Sequence, residues 1–392
     1  MTETTTAPSG PSGPLAKILT PSRASGLRTS GTTLASSLLA VIIALGISAV
    51  MLFITGKDPV TAFTTIIDTA QNTDKLLEMM RRATPLIFSA TAVAIGFKMN
   101  IFNIGVEGQY LFAALMAAEA GSHISLPGPL HIAAILAVAL ISGAAWAGIS
   151  AFLKVRKNIH EVISTIMLNY IALSFIQWLF NSFFRDDSVE GLNIKTTIIE
   201  ESGRLPDLVE GRLNSMFIIA LVVVAIFWVV VYRSTFGFKL RASGYNATAA
   251  STAGISATKM TVIALLLSGA VAGLVAMQSV LGETHAYGPS ATPIQLGFAG
   301  ITVALLGRNH PVGIVIAALL FGFLDSTSAQ LQLAEVPNSI VKVMQAIIVL
   351  TVVIVNEAAV RRTNIKTAER HHRCHIASHR AHLAGWPRRP LG

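Results

Sequence analysis

Three hundred and ninety-two residues, 53% apolar and 12% charged at a mean hydropathy of +0.63, exclude a water-soluble globule, which carries roughly twice that charged fraction. The formal charge of +9 (29 basic against 20 acidic residues) belongs to two tails. Residues 1–33 carry +2, residues 361–392 carry +7, and residues 34–360 balance at 18 of each sign. A neutral body gives no reason to expect nucleic acid as a partner, and a single cysteine, Cys374, excludes a disulfide framework.

Residues 1–33, rich in Ser, Thr, Pro and Gly and without periodicity, read as a disordered cytoplasmic head. The run 34–55 is longer than the 7 to 15 apolar residues of a signal peptide, and no small-x-small site follows, so it reads as a retained span. A spanning helix needs about 20 apolar residues. Long runs at 34–55, 130–153, 162–184, 215–232, 260–281, 311–333 and 338–356 meet that need, and shorter or interrupted ones lie at 85–99, 102–120 and 293–307. The expected fold is an all-α polytopic membrane protein of about ten transmembrane helices, with a transmembrane body over 34–358 and a basic cytoplasmic tail over 359–392.

Lys and Arg collect in loops that stay inside. Lys154, Arg156 and Lys157 mark one inner loop, Arg233, Lys239, Arg241 and Lys259 a second, and Arg308 a third. The connection from Arg185 to Arg212, with seven acidic and four basic residues, suits the outer face. Ten crossings return the C-terminus to the side of the basic head, so parity agrees with charge.

Polar groups inside apolar spans are costly and face a bundle interior or a water-filled path. The densest set runs from Lys98 through Asn103, Glu107 and Gln109, with Gly105 and Gly108 between. It predicts either a helix that stops and restarts at membrane depth or a cytoplasmic turn with Glu107 paired to Lys98. A second set, Glu161, Thr165 and Asn169, steps by four along one helix face and bonds either a solute or neighbouring helices. Gln278, Gln295, Asp325, Lys342 and Gln345 form a looser third set. Leu140–Ala144 is echoed by Leu266–Ala270, and Thr84-Pro85-Leu86 by Thr292-Pro293-Ile294, as an ancient duplication or repeated close helix contacts would leave.

Within the inner loop 233–259, Asn246 is placed to cap a short helix over Ala247–Ala253 that Gly254 ends. Small, uncharged and Ala-rich, it suits a groove of a soluble partner better than a lipid surface. No G-x-x-x-x-G-K-[ST] loop, H-E-x-x-H or nucleophile elbow occurs in the sequence. The tail residues His371, His372, Cys374, His375, His379 and His382 have the chemistry for a metal but sit in a Pro- and Arg-rich stretch that reads as solvated.

The stretches FNIGVEGQ, EVISTIMLNYIA, LRASGYNATAASTAGIS and GFAGITVALLGRNHPVGIVIAALLFG, in that order over residues 34–358, resemble the permease subunits of ATP-binding-cassette importers. The resemblance is to the branch serving ribose-type sugars, branched-chain amino acids and nucleosides, nearest to its nucleoside permeases. It implies a multi-pass protein of a bacterial plasma membrane that is not an enzyme and holds no cofactor, ATP and Mg residing on a partner ATPase. It also implies a second permease, an external substrate-binding lipoprotein and contact with membrane lipid. It makes Asn246, Ala247, Thr248, Ala249, Ala250, Ser251, Thr252, Ala253 and Gly254 the coupling helix, and Asn103, Glu107, Gln109, Thr165 and Asn169 part of the substrate path. His160 stands where that family has Asn before the Glu, and Ser251-Thr252 where it has an Arg-Tyr type of pair. Importers of simple sugars or branched-chain amino acids are the alternatives within the family. An ion-coupled secondary transporter using Glu107 or Asp325 is the alternative outside it.

Overall fold

A computed structural model describes residues 42–43, 46–188, 194–333, 336–337, 339–344, 346–347, 350–351 and 354–355. The head, the basic tail with its histidines and Cys374, Gln345, and parts of the 34–55 and 338–356 runs lie outside the described residues. The chain divides into two compact units, residues 1–51 with 346–392, and residues 52–345. The second holds α1 (Pro59–Gln71), α2 (Thr73–Lys98), α3 (Val106–His123), α4 (Gly128–Lys157), α5 (Glu161–Leu179), α6 (Met216–Trp228), α7 (Thr235–Tyr245), α8 (Ala247–Thr252), α9 (Ala257–Gly273), α10 (Met277–Gly282), α11 (Leu296–Leu306) and α12 (Pro311–Leu333). Single π-helical turns extend α5 through Phe184 and α6 through Arg233.

Among the described residues, five helical stretches have the length and composition to cross a membrane: Gly128–Lys157, Glu161–Phe184, Met216–Arg233, Ala257–Gly282 and Pro311–Gln332. Four sequence-read boundaries differ. The 85–99 run is the inner part of α2, which starts at Thr73 because Asn72 caps it, accepting from the N–H of Asp74 at 2.9 Å. The 102–120 run begins its helix only at Val106, the 293–307 run only at Leu296, and the 260–281 run pauses between α9 and α10.

Local chemistry sets the ends. Asp58 accepts from the N–H groups of Val60 and Thr61 and Pro59 opens α1, while Asn158 in a left-handed conformation ends α4. His160 caps α5 through Nδ1, accepting from the Val162 N–H at 3.3 Å.

The echoed segments meet. A Cβ on Gly143 of α4 would fall on the carbonyl of Gly269 of α9, and Gly273, four residues on, presses on the carbonyl of Ala139. Only glycine permits this approach, which serves van der Waals packing where lipid gives apolar association no advantage. Around it lie Met99, Ile101, Ala151, Leu240, Ala264 and Leu265, one buried cluster joining α4, α7 and α9 to the turn after α2.

At one end of this unit the acidic 185–212 connection pairs its backbone with residues 281–287, through Thr196 to Tyr287, Ile199 to His285 and Leu205 to Leu281. A two-residue ladder, β1 (Asp207–Val209) with β2 (Leu213–Asn214), closes that connection. At the other end Lys154 is paired with Glu161. There too Lys98 and Arg241 lie over the Tyr232 ring, and Tyr232 donates to the Asn309 carbonyl at 3.3 Å. The three basic loops therefore gather at one end, opposite the acidic connection.

Candidate functional site

α2 ends in a hydrogen-bonded reversal. Ile101 donates back to the Gly96 carbonyl at 3.0 Å, with Asn100 at φ +58° making the turn. The chain then runs back along α2 without helical bonds until Val106, burying Ile101 (3% exposed) and Asn103 (1%) while Phe102 between them is exposed. Asn103 donates to Ser268 Oγ at 2.8 Å, and Ser268 donates to the Ala92 carbonyl. α3 therefore begins well inside the bundle. Its partner Asn169 lies eight residues, about 12 Å, along α5 from the basic end.

Irregular backbone at that depth survives only if protein groups replace the lost bonds. Asn169 does so in both directions, accepting from the Gly108 N–H at 2.9 Å and donating to the Ile104 carbonyl at 2.9 Å. Gly108 must lack a side chain, because a Cβ there would stand 2.9 Å from that of Ala172. Asn103 and Gln109 exchange two amide bonds of 2.9 and 3.0 Å, and Asn103 Oδ1 also accepts from the Gly105 N–H. Thr165 donates to the Glu161 carbonyl one turn below.

Glu107 does not pair with Lys98. Its carboxylate accepts from the N–H groups of Gln295 (2.5 Å) and Gly297 (2.8 Å), the opening donors of α11. α11 starts against the beginning of α3, at Gln295 with φ +68°, and Ser89 of α2 donates to its first carbonyl at 2.8 Å. A carboxylate at a helix N-terminus answers both the orphan donors and the positive end of the dipole. The Tyr110 hydroxyl lies 2.7 Å from Glu107 Oε1 and 2.8 Å from the Pro293 carbonyl, so its one proton serves either. The five sequence-picked residues thus come together, fastening two half-helices and leaving none of these amide or carboxylate groups unpartnered.

The third polar set scatters. Gln278 and Asp325 line one cavity, whereas the side chains of Gln295 and Lys342 are exposed. Sequence reading missed Tyr110 as a polar bridge and the pairing of Gln278 with α2. The available signal for the second was Pro85: lacking an N–H, it frees the Arg81 carbonyl, and Gln278 Nε2 donates to that carbonyl at 2.8 Å. Phe112, Trp146, Phe175 and Trp178 form a row with ring centroids 4.9 to 5.9 Å apart.

The short helix forms as the residues predict, one residue shorter. Asn246 Oδ1 accepts from the Ala249 N–H at 3.0 Å, α8 covers Ala247–Thr252, and Gly254 at φ +76° terminates it. All of Asn246–Gly254 except Ala250 is exposed, and Tyr245 beside it is 92% exposed. α7 leads into it and carries Leu240, wholly buried against Met99 and Ile101 beneath the break.

Residues 75–353 match the family described as branched-chain amino acid transport system / permease component. The guanosine ABC transporter permease protein NupP of Bacillus subtilis is 37% identical over 70% of this chain and 80% of its own length. The nucleoside ABC transporter permease protein NupB of Lactococcus lactis is 29% identical over 81% of this chain and 90% of its own. The glucose ABC transporter permease protein TsgB13 of Haloferax volcanii is 30% identical over 80% and 85%. The chain belongs to this permease family and is a multi-pass membrane permease subunit of an ABC transporter, a transport protein rather than an enzyme, whose ATPase is a separate subunit.

Proposed function

We propose that this subunit carries nucleosides inward, as half of a permease pair that works with two ATPase domains and an external binding lipoprotein. The observation that carries the substrate class is the 37% identity with a guanosine permease over most of both chains. The 30% identity with a glucose permease supports simple sugars as the second reading. In our reading the chain crosses the bilayer ten times with both termini inside, which puts the basic end, α8 and Tyr245 in the cytoplasm. ATP and Mg reside on the partner.

Asn246 to Gly254 form the coupling helix in this reading. Displacement of α8 is passed through α7 and Leu240 to Met99 and Ile101, and so to the start of α3. Nothing moves unless the ATPases bind one permease state better than another, so this contact must differ between states. Asn103, Glu107, Gln109, Thr165 and Asn169 belong to the central path as the groups that hold its half-helices in place. The row of aromatic rings supplies faces on which a flat base can stack.

Uptake of radiolabelled guanosine, glucose and leucine by cells making the transporter tests the substrate. Guanosine entry is expected; entry of glucose alone would transfer the assignment to sugars, and entry of leucine alone would overturn both. Replacing Asn246–Gly254 by a Gly-Ser linker is expected to abolish uptake and ATPase copurification while the chain stays in the membrane. Full uptake by that variant would remove the coupling role.

A further inference from the structure

A cavity of about 220 Å³ opens between α2, the α9–α10 junction, the 283–295 segment and α12. Its polar walls come from Arg81, Arg82, Gln278, Ser279, Glu283 and Asp325. Arg81 lies seventeen residues, about 25 Å, along α2 from Lys98, so the cavity sits toward the end opposite the basic loops. Pro293 and Leu296 at its inner side are the residues that Tyr110 and Ser89 bond, so the cavity reaches the fastening of α11.

Two features define what would fit. The first is Gln278, 5% exposed, whose Nε2 must face the Arg81 carbonyl because that carbonyl only accepts. Its Oε1 is buried and has no hydrogen-bond partner among the described residues. A buried acceptor without a donor is costly, so a donor brought to the cavity wall would be bonded favourably there. The second is charge. Arg81 is paired with Glu283 at 3.0 Å and Arg82 with Glu78 at 2.7 Å, so each guanidinium charge already faces a carboxylate and neither stands as a bare cation toward a phosphate or a carboxylate.

We infer that this cavity is a solute-contact site for an uncharged molecule that presents a hydrogen-bond donor, a ribose hydroxyl or a base amino group, to Gln278. The inference rests on the nucleoside reading above and places a contact outside the five path residues. The paired guanidinium groups would disfavour nucleotides, and amino acids would find no unpaired counter-charge on either arginine.

The test uses the assembled transporter in vesicles with its binding protein and Mg-ATP. Ser279→Cys is placed on a Cys374→Ser background, since Cys374 is the only cysteine. Guanosine is expected to slow labelling of the new thiol by a methanethiosulfonate reagent, and leucine is not. Adding Gln278→Leu should raise the guanosine concentration needed for half-protection about three- to tenfold, the worth of one neutral hydrogen bond. Ala276→Cys, on the same wall, serves if Ser279→Cys does not assemble. Labelling indifferent to guanosine in vesicles that import it overturns this site and leaves the importer reading standing. A half-protection unchanged by Gln278→Leu makes Gln278 only a partner for the Arg81 carbonyl and overturns its solute role. Vesicles that import no nucleoside defeat both.

Discussion

The break at Asn103–Gln109 and the loop helix at Asn246–Gly254 are both small-residue, amide-bearing stretches, yet the structure treats them oppositely. In the break the freed backbone groups are taken up by Asn169 from α5, Ser268 from α9 accepts from the Asn103 side chain, and Glu107 returns the service to α11. In the loop helix the cap is local, one Asn246 bond across three residues, and everything beyond Ala250 faces outward. Buried polarity of the first kind fixes geometry within the chain. Exposed small residues of the second kind leave a surface whose use is set by a partner.

That contrast can be broken most sharply at Asn169. Asn169→Leu orphans the Gly108 N–H and the Ile104 carbonyl together, at roughly 1 to 3 kcal/mol each. Thermal unfolding of the purified protein should show the largest loss of the series, and an unchanged midpoint would mean that water or another side chain holds the break. Glu107→Gln comes next. The amide presents a donor where two N–H groups need acceptors, and a loss of about 1 to 3 kcal/mol is expected. Rescue by Glu107→Asp would show that charge, rather than reach, secures α11.

On the other side of the comparison the effects on stability shrink. Asn246→Ala removes a cap whose donor is exposed to solvent, so about 0.5 to 1 kcal/mol is expected, read as fraying of α8 in hydrogen exchange. Tyr245→Ser should leave the unfolding midpoint alone and weaken retention of the ATPase subunit in pull-down. A falling midpoint with normal retention would place Tyr245 on the structural side instead.

Much of this was legible in the sequence because the bilayer makes polarity expensive. Asn103, Glu107, Gln109, Thr165 and Asn169 stood out against apolar runs for that reason, and they do gather. What spacing along one helix could not supply was their direction. Glu107 was readable as a partner for Lys98 nine residues away, whereas it bonds residues 188 and 190 positions distant. Gln278 looked like one of a loose set until the missing N–H of Pro85 gave its amide a use.

The opening charge of +9 belongs to both halves of the account. Sequence alone located it in the tails, drew the basic loops to one side and forecast the Asn246 cap, since each of these depends on composition or on bonds spanning a few residues. Tertiary structure alone decided that Gly143 meets Gly269, that α3 begins inside the bundle with α11 starting against it, and that Glu107 ties one to the other. Those outcomes depend on which helices become neighbours, and hydropathy marks the apolar runs without saying which of them meet.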